Sequence, residues 1–340
     1  MKSFTRIAIS GVTALAISTT TMAADVTIRL GHLWPAVAGP HTKLLSVWEE
    51  KVEAESNGRI DVEIYPSGTL AAPPAQYDAV KNRIMDATAT VLGYSANRFP
   101  LTQVVELPGV QSNAVNGSCI VQSLYDNGAL DSEFGDTHPL FFFTHGSGGF
   151  HNKGEAIMQP ADLKGLRMRR PTTVVANILE QLGAQPVGMA APESYTSMQR
   201  GVIDGVALPW EGAMSFRLNE LAESHTEIEG LYTLTFIVTM NKQVYDSLPA
   251  DLKAVIDNNS GLEWANKAGE VFDELDSLGR QQAVDAGHTI VTIEGGTENP
   301  VWKAPIVNAR KAYLDDLQEK GLPARDVYDQ AVALAASCGM

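Results

Sequence analysis

Cysteine is scarce: Cys119 and Cys338 are the only two in 340 residues. That excludes a small disulfide-framework fold, and with no C-x-x-C it excludes thiolate metal knuckles as well. Basic residues are also few, 25 Lys and Arg against 40 Asp and Glu, for a formal net charge of -15. Such a chain disfavours nucleic acid and anionic lipid as partners, and any site for a small anion has to be built from local groups. None of the seven histidines forms H-x-x-x-H or H-E-x-x-H, so no metal ligand set is expected. G-x-S-x-G is absent, and Gly146-Ser147-Gly148-Gly149 lacks the Gly-Lys-Ser/Thr continuation of a phosphate loop. No cofactor and no catalytic residue is therefore expected. Beyond the N-terminus no stretch approaches the ~20 uninterrupted apolar residues of a membrane span.

The one apolar run that stands out is N-terminal. Lys2 and Arg6 precede Ile7 to Ser18, and the small residues Thr21 and Ala23 follow at the spacing a signal peptidase reads. Residues 1–24 thus read as a cleavable secretory signal, too short for an anchor. With no cysteine at the cleavage point a lipid anchor is not expected, and the mature product is expected in the periplasm as a soluble monomer. Removing residues 1–24 takes away two positive charges and moves the net charge from -15 to -17. Export makes a disulfide chemically possible, but Cys119 and Cys338 are far apart and carry no spacing motif, so their pairing stays open.

A mature length of about 315 residues suggests one large or two medium domains. Strand and helix signals alternate from the start. Val26 to Leu30 reads as a strand, Leu44, Trp48 and Val52 as one face of a helix, and Ile60 to Ile64 as a strand. Tyr77, Val80 and Ile84 then mark a helix and Ala87 to Leu92 a strand. This order indicates an α/β fold with buried sheets. Pro139-Leu140-Phe141-Phe142-Phe143 reads as a fully buried strand, and the glycines from Gly146 to Gly149 suit a crossing between two lobes, with Leu231 to Met240 returning. Asp251 to Ala286 reads as mostly helical and long enough to lie across both lobes; a short strand, His288 to Ile293, and two helices follow. The division expected is 25–146 with 235–275 for lobe I, 147–234 with 276–330 for lobe II, and 331–340 as a C-terminal tail. Two lobes exchanging chain segments imply a cleft that closes on a ligand.

The segment Asp162 to Trp210 carries the chemistry. In Leu166-Arg167-Met168-Arg169-Arg170-Pro171, alternation places Arg167 and Arg169 on one face of a strand and Met168 on the other. Pro171 ends the strand, and Pro171-Thr172-Thr173 looks like a helix start. Helix amides beside a guanidinium favour a carboxylate, because the partial positive charge and the bidentate fork both suit it. The plain alternative is that these arginines are surface or structural ion-pair partners.

The same segment closely resembles the extracytoplasmic solute-binding proteins of TRAP (tripartite ATP-independent periplasmic) transporters, the DctP-type family. Their pattern K-G-L-(K/R)-hydrophobic-R-x-P, followed by (V/I)-D-G, matches Lys164 to Pro171 and Ile203 to Gly205. The likeness extends to GRI at Gly58 to Ile60, ELP at Glu106 to Pro108, and MNKQVYDSLPADLKAVI from Met240 to Ile256. The resemblance implies a two-lobe periplasmic binding protein with an interlobe cleft and a long helix crossing both lobes. It also implies a carboxylate ligand held by Arg169 and delivery to a membrane permease that uses an ion gradient in place of ATP.

Two departures from the resembled family bear on the ligand. Relatives that take sugar acids and sialic acid carry an arginine near the position of Gly148 and Gly149, and an asparagine before the proline that is here Pro209. This chain has glycine at the first place and Leu208 at the second. Phe150, Leu208, Trp210 and Phe236 then offer apolar wall, which suits an aromatic or other apolar monocarboxylate better than a polyhydroxylated acid. Trp34 and Tyr94 are candidates from the facing lobe. Arg170 is a further candidate anion contact, although alternation aims it away from Arg169, and Tyr195 shares its short helix with Met198 and suits core packing equally. Glu211 either orients Arg169 or pairs with an amine, so an amino compound or a short 2-oxo acid stays open as the ligand. A periplasmic hydrolase using His145, Ser147 and a carboxylate is the competing class.

Overall fold

The computed structural model describes residues 24–338; the export-signal expectation rests on residues outside that range. The first four strands are β1 (Val26–His32), β2 (Ile60–Tyr65), β3 (Ala87–Val91) and β4 (His138–Thr144). They are followed by β5 (Gly149–Asn152), β6 (Arg167–Arg170), β7 (Gln185–Gly188), β8 (Gly205–Leu208) and β9 (Ser224–Glu227). The last two are β10 (Thr235–Met240) and β11 (Thr289–Thr292). One sheet has the order β2-β1-β3-β10-β4 and the other β11-β9-β5-β8-β6-β7. Each is the floor of one lobe; β10 returns to the first lobe after β5 to β9 have built most of the second, and β11 later completes the second sheet.

Local sequence explains these elements. β3 and β10 are buried along their whole length and read as continuous β-branched, alanine and aromatic runs, as expected for strands covered on both faces. Phe141, Phe142 and Phe143 of β4 are likewise fully buried. The two crossings run side by side, joined where Gly148 N donates to Tyr232 O at 2.9 Å. Ile84, expected on a helix face with Tyr77 and Val80, is instead exposed beyond the end of the short helix Gln76–Lys81.

The helical stretch expected over Asp251 to Ala286 is two helices, Ala250–Asn258 and Gly261–Asp285, broken at Asn259 and Ser260. The longer one crosses both lobes. Its N-terminal half packs Trp264, Ala268 and Phe272 against β4 and the helix Ala114–Asp126. Directly after Phe272, Asp273 accepts from Ala114 N (2.8 Å) and Val115 N (3.2 Å) in the first lobe, and Asp276, about one turn on, accepts from Glu211 N (2.6 Å) in the second. Two carboxylates three residues apart thus cap helix starts belonging to different lobes. At Gly279 a Cβ would sit 2.4 Å from Trp210 O, so only glycine permits this approach to the second lobe.

The C-terminal segment departs from the expected division. Residues 331–337 are not a tail but the end of the helix Ala324–Ser337, which packs on the first lobe against the helix Ala114–Asp126. Val327 and Ala331 provide its buried stripe, at a helical spacing that the sequence already contained. The preceding helix, Lys303–Glu319, lies on the helix Thr173–Gln181 of the second lobe. Cys338 and Cys119 are joined in a disulfide, which pins the last helix to the first lobe. A bridge closing so long a loop contributes mainly by restricting the unfolded chain, so replacing both cysteines by serine should lower stability by about 2–4 kcal/mol. Urea unfolding of the double variant measures this, and an unchanged midpoint would show that the bridge contributes nothing to folding.

Candidate ligand-binding site

β6 lies parallel between β7 and β8, and its two alternate arginines, Arg167 and Arg169, have different fates. Arg167, at the start of the strand, is taken up by Asp204 through Nε (3.0 Å) and Nη2 (2.6 Å). Arg169, near the other end, is fully buried. Its Nε donates to Met189 O (3.1 Å), Nη1 to Ala207 O (3.0 Å) and Nη2 to Tyr94 Oη (3.0 Å). None of these partners is a carboxylate. A guanidinium out of water without a counter-charge costs several kcal/mol, which neutral acceptors offset only in part.

Tyr94 comes from the other lobe, on the single turn Leu92–Tyr94 that follows β3. Its hydroxyl also accepts from Ala191 N at 2.9 Å, so one oxygen gathers two donors from across the cleft. Beside it lies a small cavity of about 20 Å³ walled by Trp34, Leu208, Pro209, Phe216 and Phe236, with Tyr94, His145 and Glu211 as its polar side chains. The aromatic wall is continuous with the core. Trp34 stacks on Phe236 with ring centroids 5.6 Å apart, and Phe236 stacks on Phe143 at 4.9 Å.

Of the residues expected from sequence, Trp34, Tyr94, Leu208, Glu211 and Phe236 meet at this cavity, and Arg169 joins it through Tyr94. Glu211 does not orient Arg169; its carboxylate takes Ser215 Oγ at 2.5 Å. Trp210 is a correction. Its Nε1 donates to Glu227 (2.9 Å), and its ring packs on His151 and His225 beside a separate groove at the hinge. The reason is local: after Pro209 the chain enters the helix Trp210–Ser215, so neighbouring side chains fan out in different directions. Phe150 is a second correction, fully buried in β5 and stacked on Trp302. Tyr195 sits at the cleft mouth with Phe216 and Arg217, its hydroxyl donating to Glu220 at 3.2 Å. Arg170 folds over Gly188 of β7, where a Cβ would lie 2.8 Å from its Nη2, and so does not join Arg169.

The helix start beside Arg169 also differs from expectation. Thr172 caps the helix Thr173–Gln181 and donates to Glu106 Oε2 at 3.0 Å. The carboxylate at this helix start is therefore the protein's own. Glu106 accepts in addition from Thr235 N (3.2 Å), Thr235 Oγ1 (2.9 Å) and Gln103 Nε2 (3.2 Å), yet burial still lifts its pKa to about 7.

Two neighbours of the cavity were missed. His145, read as part of the competing hydrolase grouping, is buried and lines it; the signal was its place directly after the buried phenylalanine run at the crossing. Tyr232 explains the departure at Gly148, because a Cβ there would lie 2.1 Å from the Tyr232 ring. Tyrosine fills the space that a larger residue at 148 would need. The hydrolase grouping is not assembled: Ser147 Oγ accepts from Gly230 N (3.0 Å), while His145 Nδ1 faces Gly146 O (2.6 Å). Among the described residues no group of three His, Cys, Asp or Glu is placed to hold a metal.

Two α/β lobes joined by paired crossings, with a long helix spanning both and a buried arginine at the cleft, define a periplasmic-type solute-binding protein. Residues 30–314 match the family model described as bacterial extracellular solute-binding protein, family 7 (DctP), and the chain belongs to that family. It is similar to a TRAP solute-binding protein from Rhodoferax ferrireducens solved with copurified benzoate (39% identity, TM-score 0.88, covering 92% of this chain and 98% of that one). It is also similar to a marine metagenome TRAP solute-binding protein specific for aromatic acids, solved with 3-hydroxybenzoate (38% identity, TM-score 0.90, 94% and 100% covered). A curated relative, the C4-dicarboxylate-binding periplasmic protein DctP of Rhodobacter capsulatus, is 27% identical over 314 residues, 87% of this chain and 89% of its own length.

Burial lifts the Glu211 carboxyl from 4.5 to about 7, with the Ser215 hydrogen bond opposing. The folded chain thus holds a proton that the unfolded chain releases from about pH 4.5 upward, so this contribution to stability falls as pH rises towards about 7 and stays lost above it. Glu211→Gln cannot ionise and should flatten the stability profile between about pH 5 and pH 8 by about 2–3 kcal/mol. Urea unfolding across that range is the measurement; the slope that remains belongs to other groups, Glu106 among them, and an unaltered slope would remove Glu211 from the account.

Proposed function

We propose that this chain is exported by cleavage of residues 1–24 and works in the periplasm. There it holds an aromatic monocarboxylate in the closed cleft through Arg169 and passes it, chemically unchanged, to a TRAP membrane permease. The observation that carries this reading is the charge state of the cleft. Arg169 is fully buried and donates to two carbonyls and a phenol, none of them able to neutralise it. A ligand carboxylate is the charge partner such a guanidinium favours, and the convergence of Arg169 Nη2 and Ala191 N on one oxygen is a geometry that suits a carboxylate oxygen too.

The walls support an aromatic ring. Phe236, Leu208 and Phe216 bring no hydrogen-bonding group and Trp34 a single indole N–H, too little for a row of hydroxyls, and Tyr232 takes the space above Gly148 where a polar arm would reach in. Short 2-oxo acids leave these walls unfilled. An amino compound finds a poor counter-ion in Glu211, whose charged form burial disfavours. The relatives solved with benzoate and 3-hydroxybenzoate point to the same ligand class.

Arg169→Ala should weaken benzoate binding by at least about a hundredfold, in line with the 3–5 kcal/mol typical of leaving a buried charge unpaired. Titration calorimetry reads this, with circular dichroism confirming the fold, and undiminished affinity would sink the proposal. Binding should also draw the lobes together, since ligand and Tyr94 engage donors across the same cleft. Small-angle scattering should show a smaller radius with benzoate than without; equal radii would point to a rigid receptor.

A further inference from the structure

His145 is held in one tautomer. Its Nδ1 lies 2.6 Å from Gly146 O, and a carbonyl oxygen only accepts, so Nδ1 carries the proton. The nearby Thr233 hydroxyl is committed elsewhere, donating to His145 O at 2.6 Å. Nε2 therefore presents a lone pair. That atom is buried and meets no donor among the described residues, while the side chain lines the cavity beside Tyr94 and Trp34. The ring is fixed edge-on between Tyr232 (5.8 Å) and Phe236 (6.1 Å), so it has no room to swing to another partner.

We propose that His145 Nε2 is the specificity determinant of this cleft, accepting a hydrogen bond from a hydroxyl on the ligand, so that hydroxylated aromatic monocarboxylates are preferred over unsubstituted ones. The inference rests on the cavity being an aromatic-acid site and adds the second polar contact to the Arg169 clamp. A buried acceptor left without a donor is costly, which is how a site built for a hydroxyl rejects the analogue that lacks it. Protonation offers no escape: burial above all, with Arg169 nearby, depresses the imidazole to about 3, so Nε2 stays an acceptor at neutral pH. Glu211, the carboxyl of the cavity, is engaged by Ser215 and makes no hydrogen bond to Nε2.

The test is a calorimetric series on the whole protein with benzoate, the three hydroxybenzoate isomers, mandelate and the matching fluorobenzoates, in which fluorine approximates the size of the hydroxyl without donating. At least one hydroxylated acid should bind about tenfold or more tighter than both benzoate and its fluoro counterpart. In His145→Phe that ratio should collapse to about one. If no hydroxylated acid is preferred by the native protein, or if the preference survives in His145→Phe, the assignment is overturned while the aromatic-acid reading stands. If no aromatic acid binds at all, that reading itself fails and takes this one with it. Should His145→Phe not fold, the native series still decides, and His145→Gln, which retains an acceptor, should keep part of the preference.

Discussion

A positive charge sealed inside the cleft organises this molecule. Arg169 is a guanidinium with no access to water and no carboxylate in contact. Its three neutral acceptors come from three places: the loop after β7, strand β8, and a turn of the opposite lobe. The buried charge is tolerable only while all three are in position, so the second sheet and the closed cleft are arranged around one side chain. The same arrangement leaves electrostatic stabilisation for an anion to supply, and under the proposed function recognition and closure then fall to a single group.

The lobes are also connected through shared acids rather than through a broad apolar interface alone. Asp273 and Asp276 hold helix starts of different lobes from positions three residues apart on the long helix, and Glu106 joins Gln103, Thr235 at the crossing and Thr172 in the second lobe. Hydrogen bonds of this kind are directional, so they set the register of the two lobes near the hinge. Closer to the ligand cavity the contact is aromatic. Trp34, Phe236 and Phe143 form a stacked series from cavity wall to core, and Phe272 of the long helix packs against all three. A wall backed by core packing presents a rigid surface to a planar ligand.

Much of the fold was legible because it is written in periodicity. The buried run of β4, the alternation in β6, and the β-α order of the first lobe are local patterns of side-chain polarity, and Arg169 stood out because a motif and a strand pattern converged on it. Leu208 and Phe236, read as apolar wall, lie at the same cavity. The fates of Trp210 and Phe150 were not legible. Trp210 lies between cavity residues in sequence and Phe150 a few residues after His145, but a helix start after Pro209 and the pleat of β5 turn them to other surfaces. A tail was expected where a helix forms, because its apolar stripe is weak alone and becomes decisive only against the helix carrying Cys119.

The sequence by itself determined the α/β class, the two-lobe division in outline, the arginine, and an apolar cleft poor in hydroxyl partners. These follow from residue type and short-range spacing, which act within one element. Only the tertiary structure decided that Cys119 meets Cys338, that Tyr232 occupies the space at Gly148, that Thr172 caps the helix start beside Arg169 while donating to Glu106, and that His145 is left with Nε2 unpaired beside the cavity. Each of these depends on residues far apart in the chain, or on a hydrogen bond that selects one tautomer. Such pairings arise when packing brings the segments together, and no local pattern encodes them.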